Sequence, residues 1–176
     1  CWCVCRWVFA LPTGRDFVAL GVHEAGDGAP WDDVRAYLDH LAAELRSVRL
    51  DGAVPLLLGG EHTVTYAGVE AVDPDVLVVV DAHLDLREAY DGNRWSHACV
   101  TRRALDGLDD GDHHTVSEVV VIGARTGSPA APDVTVVPPA QAAASPPSAD
   151  GAAYLAADLD GLDPGFAPGT GTMEPF

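Results

Sequence analysis

Val76-Leu77-Val78-Val79-Val80-Asp81-Ala82-His83-Leu84-Asp85 is an unbroken valine-rich run that ends in three ligand-type side chains. Entered through Asp73-Pro74, so short an apolar run reads as a strand buried on both faces of a parallel sheet. In open α/β sheets ligands gather outside the carboxyl ends of the strands, so Asp81, His83 and Asp85 mark the edge where chemistry is expected. At positions i, i+2 and i+4, extended chain would place both carboxylates and the imidazole on one face. The same pattern also suits a hydrogen-bonded strand end, and the neighbouring segments decide between the two.

Upstream, Val54-Pro55-Leu56-Leu57-Leu58 reads as a second buried strand that turns at Gly59-Gly60 into Glu61-His62-Thr63. Paired glycines permit close backbone approach or positive φ and deliver His62 to the same edge. A short helix over Thr63 to Ala71 then completes a right-handed βαβ unit. Before it, Val34, Tyr37, Leu38, Leu41, Leu45 and Val48 follow the i, i+3, i+4, i+7 rule, which predicts an amphipathic helix from Trp31 to about Leu50. Val8 to Leu11 and Phe17 to Val22 are short strand-like runs.

Downstream, Val100 to Leu105 looks helical with Arg102 and Arg103 exposed, and Asp106 to His114 reads as a surface loop in which His113 and His114 are solvated. Val119 to Ile122 is a third strand. Residues 128–150 form a Pro/Ala-rich surface connection with at most one short strand, Val134 to Val137, because this much proline prevents a long helix. Tyr154 to Ala157 is a fourth strand, ending in Asp158-Leu159-Asp160.

At 176 residues, all of it reads as a single domain. Acidic residues outnumber basic ones by 27 to 10, for a net charge of −17, and every basic residue is an arginine. No basic patch is present to meet phosphates, which argues against nucleic acid as a partner. An acidic surface of this kind is one that salt-loving organisms use. No run approaches bilayer-spanning length and no signal-peptide pattern is seen, so a soluble, cytoplasmic protein without a membrane partner is expected. Cys1, Cys3 and Cys5 alternate, but their spacing fits no zinc pattern, and with Cys99 they read as free thiols.

His62, Asp81, His83, Asp85, Asp158 and Asp160 thus converge on one sheet edge. Four carboxylates together carry more negative charge than a buried site holds without cations. Oxygen and imidazole donors without sulfur suit Mn²⁺ first, with Co²⁺, Zn²⁺ or Mg²⁺ as alternatives. Six ligands exceed the need of one ion and match two ions about 3.5–4 Å apart.

Gly59-Gly60-Glu61-His62-Thr63, Asp81-Ala82-His83-Leu84-Asp85, Ser96-His97, Asp158-Leu159-Asp160-Gly161-Leu162-Asp163-Pro164 and Gly169-Thr170-Gly171-Thr172 resemble, in order, the motif set of the ureohydrolases, closer to the agmatinase than to the arginase branch. Departures from the usual pattern are Glu61 in place of an aspartate, Cys99 in the loop after Ser96-His97, and Met173 in place of a proline. The resemblance implies an α/β fold, a three-layer parallel-sheet sandwich of the arginase/deacetylase type, incomplete in this chain. It implies two Mn²⁺ ions, one held by His62, Asp81, Asp85 and Asp158, the other by His83, Asp81, Asp158 and Asp160, with Asp81 and Asp158 bridging.

On the same resemblance, the substrate is a small cationic guanidino compound, foremost agmatine, cleaved to urea and putrescine; arginine, guanidinobutyrate and formiminoglutamate are alternatives. Asp85 would orient the attacking water and His97 would pass a proton to the leaving amine. Asn93 and Thr172 are candidate substrate contacts, and a homo-oligomer is implied. The downstream glutamate that this family directs at the guanidinium is not in this sequence, which is therefore expected to be a fragment. A truncated, non-catalytic metal-binding homologue is the reading from another class.

Overall fold

The computed structural model describes residues 33–51, 53–107, 116–127, 132–148 and 151–175. Four strands, β1 (Val76–Val80), β2 (Glu118–Ile122), β3 (Val134–Val137) and β4 (Ala153–Ala157), form one sheet in the order β3-β2-β1-β4. All three pairings are parallel. The valine-rich run therefore does lie inside the sheet, with Leu77 opposite Val119 on one side and Tyr154 on the other.

Alternation along β1 builds two cores. Leu77 and Val79 join Val119, Val121, Val134 and Ala156 under Val69 of helix α2 (Thr65–Val72) and Ala104 of helix α3 (Val100–Asp106). Val76, Val120 and Val137 face the opposite way, towards Ala142 of the short helix α4 (Pro139–Ala144). Helix α1 (Val34–Leu50) forms an outer layer, seating Leu38, Ala42 and Leu45 on Tyr66, Ala67, Ala71 and Val100. Helices thus cover both faces of a parallel sheet, the sandwich expected from the sequence.

Local signals account for the helix ends. Asp33 caps α1 by accepting from the Ala36 N–H at 3.0 Å. Arg49 in its last turn donates to the terminal carbonyls of α2, Ala71 O at 2.7 Å and Val72 O at 3.0 Å, which binds the two helices together. Trp31, the expected start of α1, lies outside the described residues, as do Val8 to Leu11, Phe17 to Val22, Cys1, Cys3, Cys5, His113 and His114.

Two expectations need correction. Among the described residues Val54 to Leu58 joins no sheet: Val54, Leu56 and Leu58 are exposed, and Leu57 packs on the helical core. Its apolar composition predicted two covered faces, but among the described residues no strand pairs with this segment. The predicted βαβ unit beginning there is accordingly not formed. Arg103 is not exposed but 2% accessible, because Glu88 and Asp106 supply carboxylates at 2.9 and 3.5 Å. The proline-rich stretch contributes not only β3 but also α4, with Pro139 at the first helical position, where its missing N–H costs nothing.

Candidate metal centre

Asp81 is the first residue past β1, and its N–H still reaches Ile122 O of β2 at 3.1 Å. Beyond it the chain does not stay extended. The His83 N–H turns back onto Asp81 Oδ1 at 2.7 Å, and Asp85 adopts a left-handed conformation at φ 48°. Asp81, His83 and Asp85 are therefore brought together by a turn and not by strand alternation.

His62 arrives from a single 3₁₀ turn, His62–Val64. Gly59 makes that approach possible, since a Cβ there would collide with Val64. Asp158 and Asp160 leave β4 through another 3₁₀ turn, Leu159–Gly161, in which Asp158 accepts from the Asp160 N–H at 3.0 Å. Gly161 fits closely against Val80 and the Asp81 main chain, where a Cβ would meet neighbours at 3.0 to 3.2 Å. The Ala82 N–H then donates to Asp160 Oδ1 at 3.1 Å, locking the ends of β1 and β4 together.

The two oxygens of Asp81 point at different histidines. Oδ2 lies 3.2 Å from His62 Nδ1 and Oδ1 lies 3.3 Å from His83 Nδ1. Asp85 Oδ2 closes on the same His62 nitrogen at 2.7 Å, and Asp160 Oδ2 on the same His83 nitrogen at 3.0 Å. Two overlapping groups result, His62 with Asp81 and Asp158, and Asp81 with His83 and Asp160, each compact enough to surround one ion. Asp158 falls in the first group only, whereas Asp81 belongs to both.

The electrostatics fit a cation. Burial by itself would lower the His62 imidazole, but hydrogen bonds to Asp81 and Asp85 and their charges outweigh it and push it up to about 10. Burial, then the charge of Asp81, raises the Asp160 carboxyl. Carboxylates packed this closely demand positive charge, and without an ion the histidine retains a proton to supply it. His62 Nε2 is buried with no hydrogen-bond partner among the described residues. The donor set, all oxygen and imidazole, is that of a hard or borderline divalent ion.

His97 stands apart from the six. Its Nδ1 lies 2.7 Å from Glu61 Oε1, and its side chain is 40% exposed beside a cleft of about 310 Å³ that Glu61, Tyr90, Asp91, Asn93 and Trp95 also line. The loop that carries it is held by the Tyr66 O–H donating to Ser96 O at 3.0 Å and by the edge-on packing of Tyr66 against Trp95. Cys99 is buried under this loop, and burial pushes its thiol up, away from reactivity. Asn93 reaches the cleft, although its side-chain oxygen accepts from the Trp95 N–H at 2.9 Å. Thr172 does not line the cleft; its hydroxyl donates to Asp160 Oδ2 at 3.3 Å.

Sequence reasoning missed the roles of two acids. Glu61 reads as a mild neighbour of His62, yet it is the partner of His97; a carboxylate next to a ligand histidine was the available signal. Glu174 carries its Oε1 to 4.0 Å from His83 Nε2, which nothing in the spacing announced.

Comparison with known proteins places the chain in a family. The sequence profile of the arginase family matches residues 6–176. The agmatinase of Pyrococcus horikoshii is 37% identical over 123 residues, 68% of this chain and 40% of that protein. The N(1)-aminopropylagmatine ureohydrolase of Thermococcus kodakarensis is 34% identical over 94% of this chain and 60% of its own length. The crystal structure of the agmatine ureohydrolase of Thermoplasma volcanium superposes with a TM-score of 0.78 at 35% identity, covering 95% of this chain and 60% of that one. The chain thus spans about half the length of the relatives it matches. With the profile running over nearly all of its residues, on a parallel sheet whose strand ends gather these carboxylates and imidazoles, the chain belongs to the arginase family.

Proposed function

We propose that this chain carries the hydrolytic centre of a guanidino hydrolase whose substrate is agmatine, split into urea and putrescine. The observation that carries the reading is the carboxylate of Asp81, with one oxygen directed at His62 and the other at His83. That is the disposition of a bridge between two cation sites. His62, Asp81, Asp85 and Asp158 would hold one ion, and Asp81, His83, Asp158 and Asp160 the other, with Mn²⁺ the favoured metal and Co²⁺, Zn²⁺ or Mg²⁺ as alternatives. Two bound divalent ions would supply an activated water at neutral pH and charge stabilisation at the reacting carbon.

The remaining steps fall to this chain's own side chains. Asp85 orients the water by accepting a hydrogen bond. Attack at the guanidinium carbon breaks its bond to the alkyl-bearing nitrogen, which leaves as an amine and needs a proton. His97 shuttles it: with Glu61 accepting at Nδ1, that nitrogen carries a hydrogen, and Nε2 takes up the proton given off by the attacking water and hands it to the departing nitrogen. Asp91 and Glu61, with the rings of Tyr90 and Trp95, give the cleft the acidic and aromatic lining that suits a cationic tail.

The test is urea release by the full-length protein loaded with Mn²⁺, offered agmatine, arginine and guanidinobutyrate in parallel. Urea from agmatine, lost in Asp81→Asn, supports the reading. Turnover confined to another guanidino compound would move the substrate assignment, and two bound ions with no turnover of any of them would overturn it.

A further inference from the structure

Arg125 is absorbed by neither the metal ligands nor the cleft, yet it holds the site's scaffold at several points. It follows β2 by way of Gly123, whose φ of 96° turns the chain towards the sheet edge. Its main-chain N–H donates to Ala82 O at 2.8 Å, between Asp81 and His83. Its guanidinium then spreads over carbonyls of three segments. Nη2 donates to Asp160 O at 2.7 Å and Leu162 O at 3.3 Å. Nη1 donates to Gly161 O at 3.1 Å and Gly123 O at 3.2 Å. Nε donates to Glu174 O at 2.8 Å.

We propose that Arg125 is a positioning residue that shapes the second ion site, the one made by Asp81, His83 and Asp160, through the main chain of Asp160 and Glu174. The proposal rests on the two-ion reading above. A guanidinium offers five N–H donors in a rigid planar fork and no acceptor, and here five carbonyls receive them. They belong to the turn that presents Asp160 and to the segment that holds Glu174 near the distal nitrogen of His83. The first ion site has its own support, the 2.7 Å contact of His62 with Asp85. Removing the fork therefore loosens Asp160 and the Glu174 segment most, whereas Asp158, which also serves the first site, stays anchored to β1 by its main-chain N–H donating to Val80 O at 2.8 Å. A lysine keeps the charge but offers three donors from one point, too few to hold carbonyls this far apart.

The experiment compares full-length wild type, Arg125→Lys and Arg125→Gln, each stripped of metal and titrated with Mn²⁺. Bound metal is counted after equilibrium dialysis, and electron paramagnetic resonance separates isolated ions from an exchange-coupled pair. Wild type is expected to take up a coupled pair. The variants are expected to keep the first ion and to bind the second at least about tenfold more weakly, as loss of an outer support typically does, leaving an isolated-ion spectrum at intermediate Mn²⁺. Adding Arg125→Lys to Asp160→Asn is expected to change nothing further at the first ion.

If one variant does not fold, the other carries the test. Two ions bound with wild-type affinity in a folded variant would overturn the proposal. Equal weakening of both ions would overturn it too, since that is the mark of a general structural role. Wild type that binds no Mn²⁺ would instead bring down the two-ion reading on which the proposal stands.

Discussion

His97 Nδ1 and Glu61 Oε1 lie 2.7 Å apart although the two residues are 36 positions apart in the chain. The contact joins the loop after the valine-rich strand to the turn that carries His62, so the proposed proton donor is oriented by the immediate neighbour of a proposed metal ligand. A carboxylate in this place selects one tautomer and one ring orientation.

Replacing Glu61 with glutamine leaves a partner that can donate as well as accept and so no longer enforces the tautomer. On the proposed activity, urea release from agmatine by the full-length protein is expected to fall by about 10–100-fold, the usual cost of losing an orienting partner, while bound metal stays unchanged. Steady-state kinetics alongside metal analysis would check this; a parallel loss of metal would show that Glu61 serves His62 instead.

Asp81 touches both halves of the centre, so Asp81→Asn is expected to deplete both ions and abolish urea release, whereas Asp85→Asn, on the His62 side only, is expected to spare the second ion. Metal counted on dialysed samples distinguishes them.

Metal binding is expected to release the proton that His62 keeps in the ion-free protein. Its imidazole is held at about 10 against an ordinary 6.5, so at pH 8 the proton is present before binding and displaced by it. Mn²⁺ affinity should therefore rise with pH up to about 10, and calorimetry in buffers of different ionisation enthalpy should register the proton. In the ion-free protein the same pairing stabilises the fold. That contribution is complete below 6.5 and lost as the pH climbs through about 10, which thermal unfolding across the alkaline range would read out.

Gly68 of α2 faces the ring of Tyr154 on β4 with no space for a methyl group. Gly68→Ala is expected to lower stability by about 1–3 kcal/mol through overpacking. The urea midpoint of the full-length protein measures it, and Tyr154→Phe in the same background should recover part of the loss by removing the hydroxyl.

Parts of the fold differ in how far the sequence declares them. The run from Val76 to Val80 declared a strand covered on both faces because only a central position in a parallel sheet buries so many valines in succession. The i, i+3, i+4 spacing of Leu38, Leu41 and Leu45 declared α1 equally well, and the ligand-type residues along the chain nominated six candidates for the centre. Composition also misled. Val54 to Leu58 is as apolar as any strand here yet stays outside the sheet, since apolar residues promise burial but do not supply a hydrogen-bonding neighbour.

By itself, then, the order of residues determined the parallel sheet, the helices that cover it and the identity of the candidate ligands, because periodicity and residue chemistry are local properties. Only the tertiary structure decided which oxygen of Asp81 faces which histidine, that Glu61 belongs to His97, that Arg103 is buried, and that Arg125 gathers the carbonyls of Asp160, Gly161, Leu162 and Glu174. Each of these is a directional contact between segments distant in the chain, and no pattern along a sequence records the direction in which a hydrogen bond points.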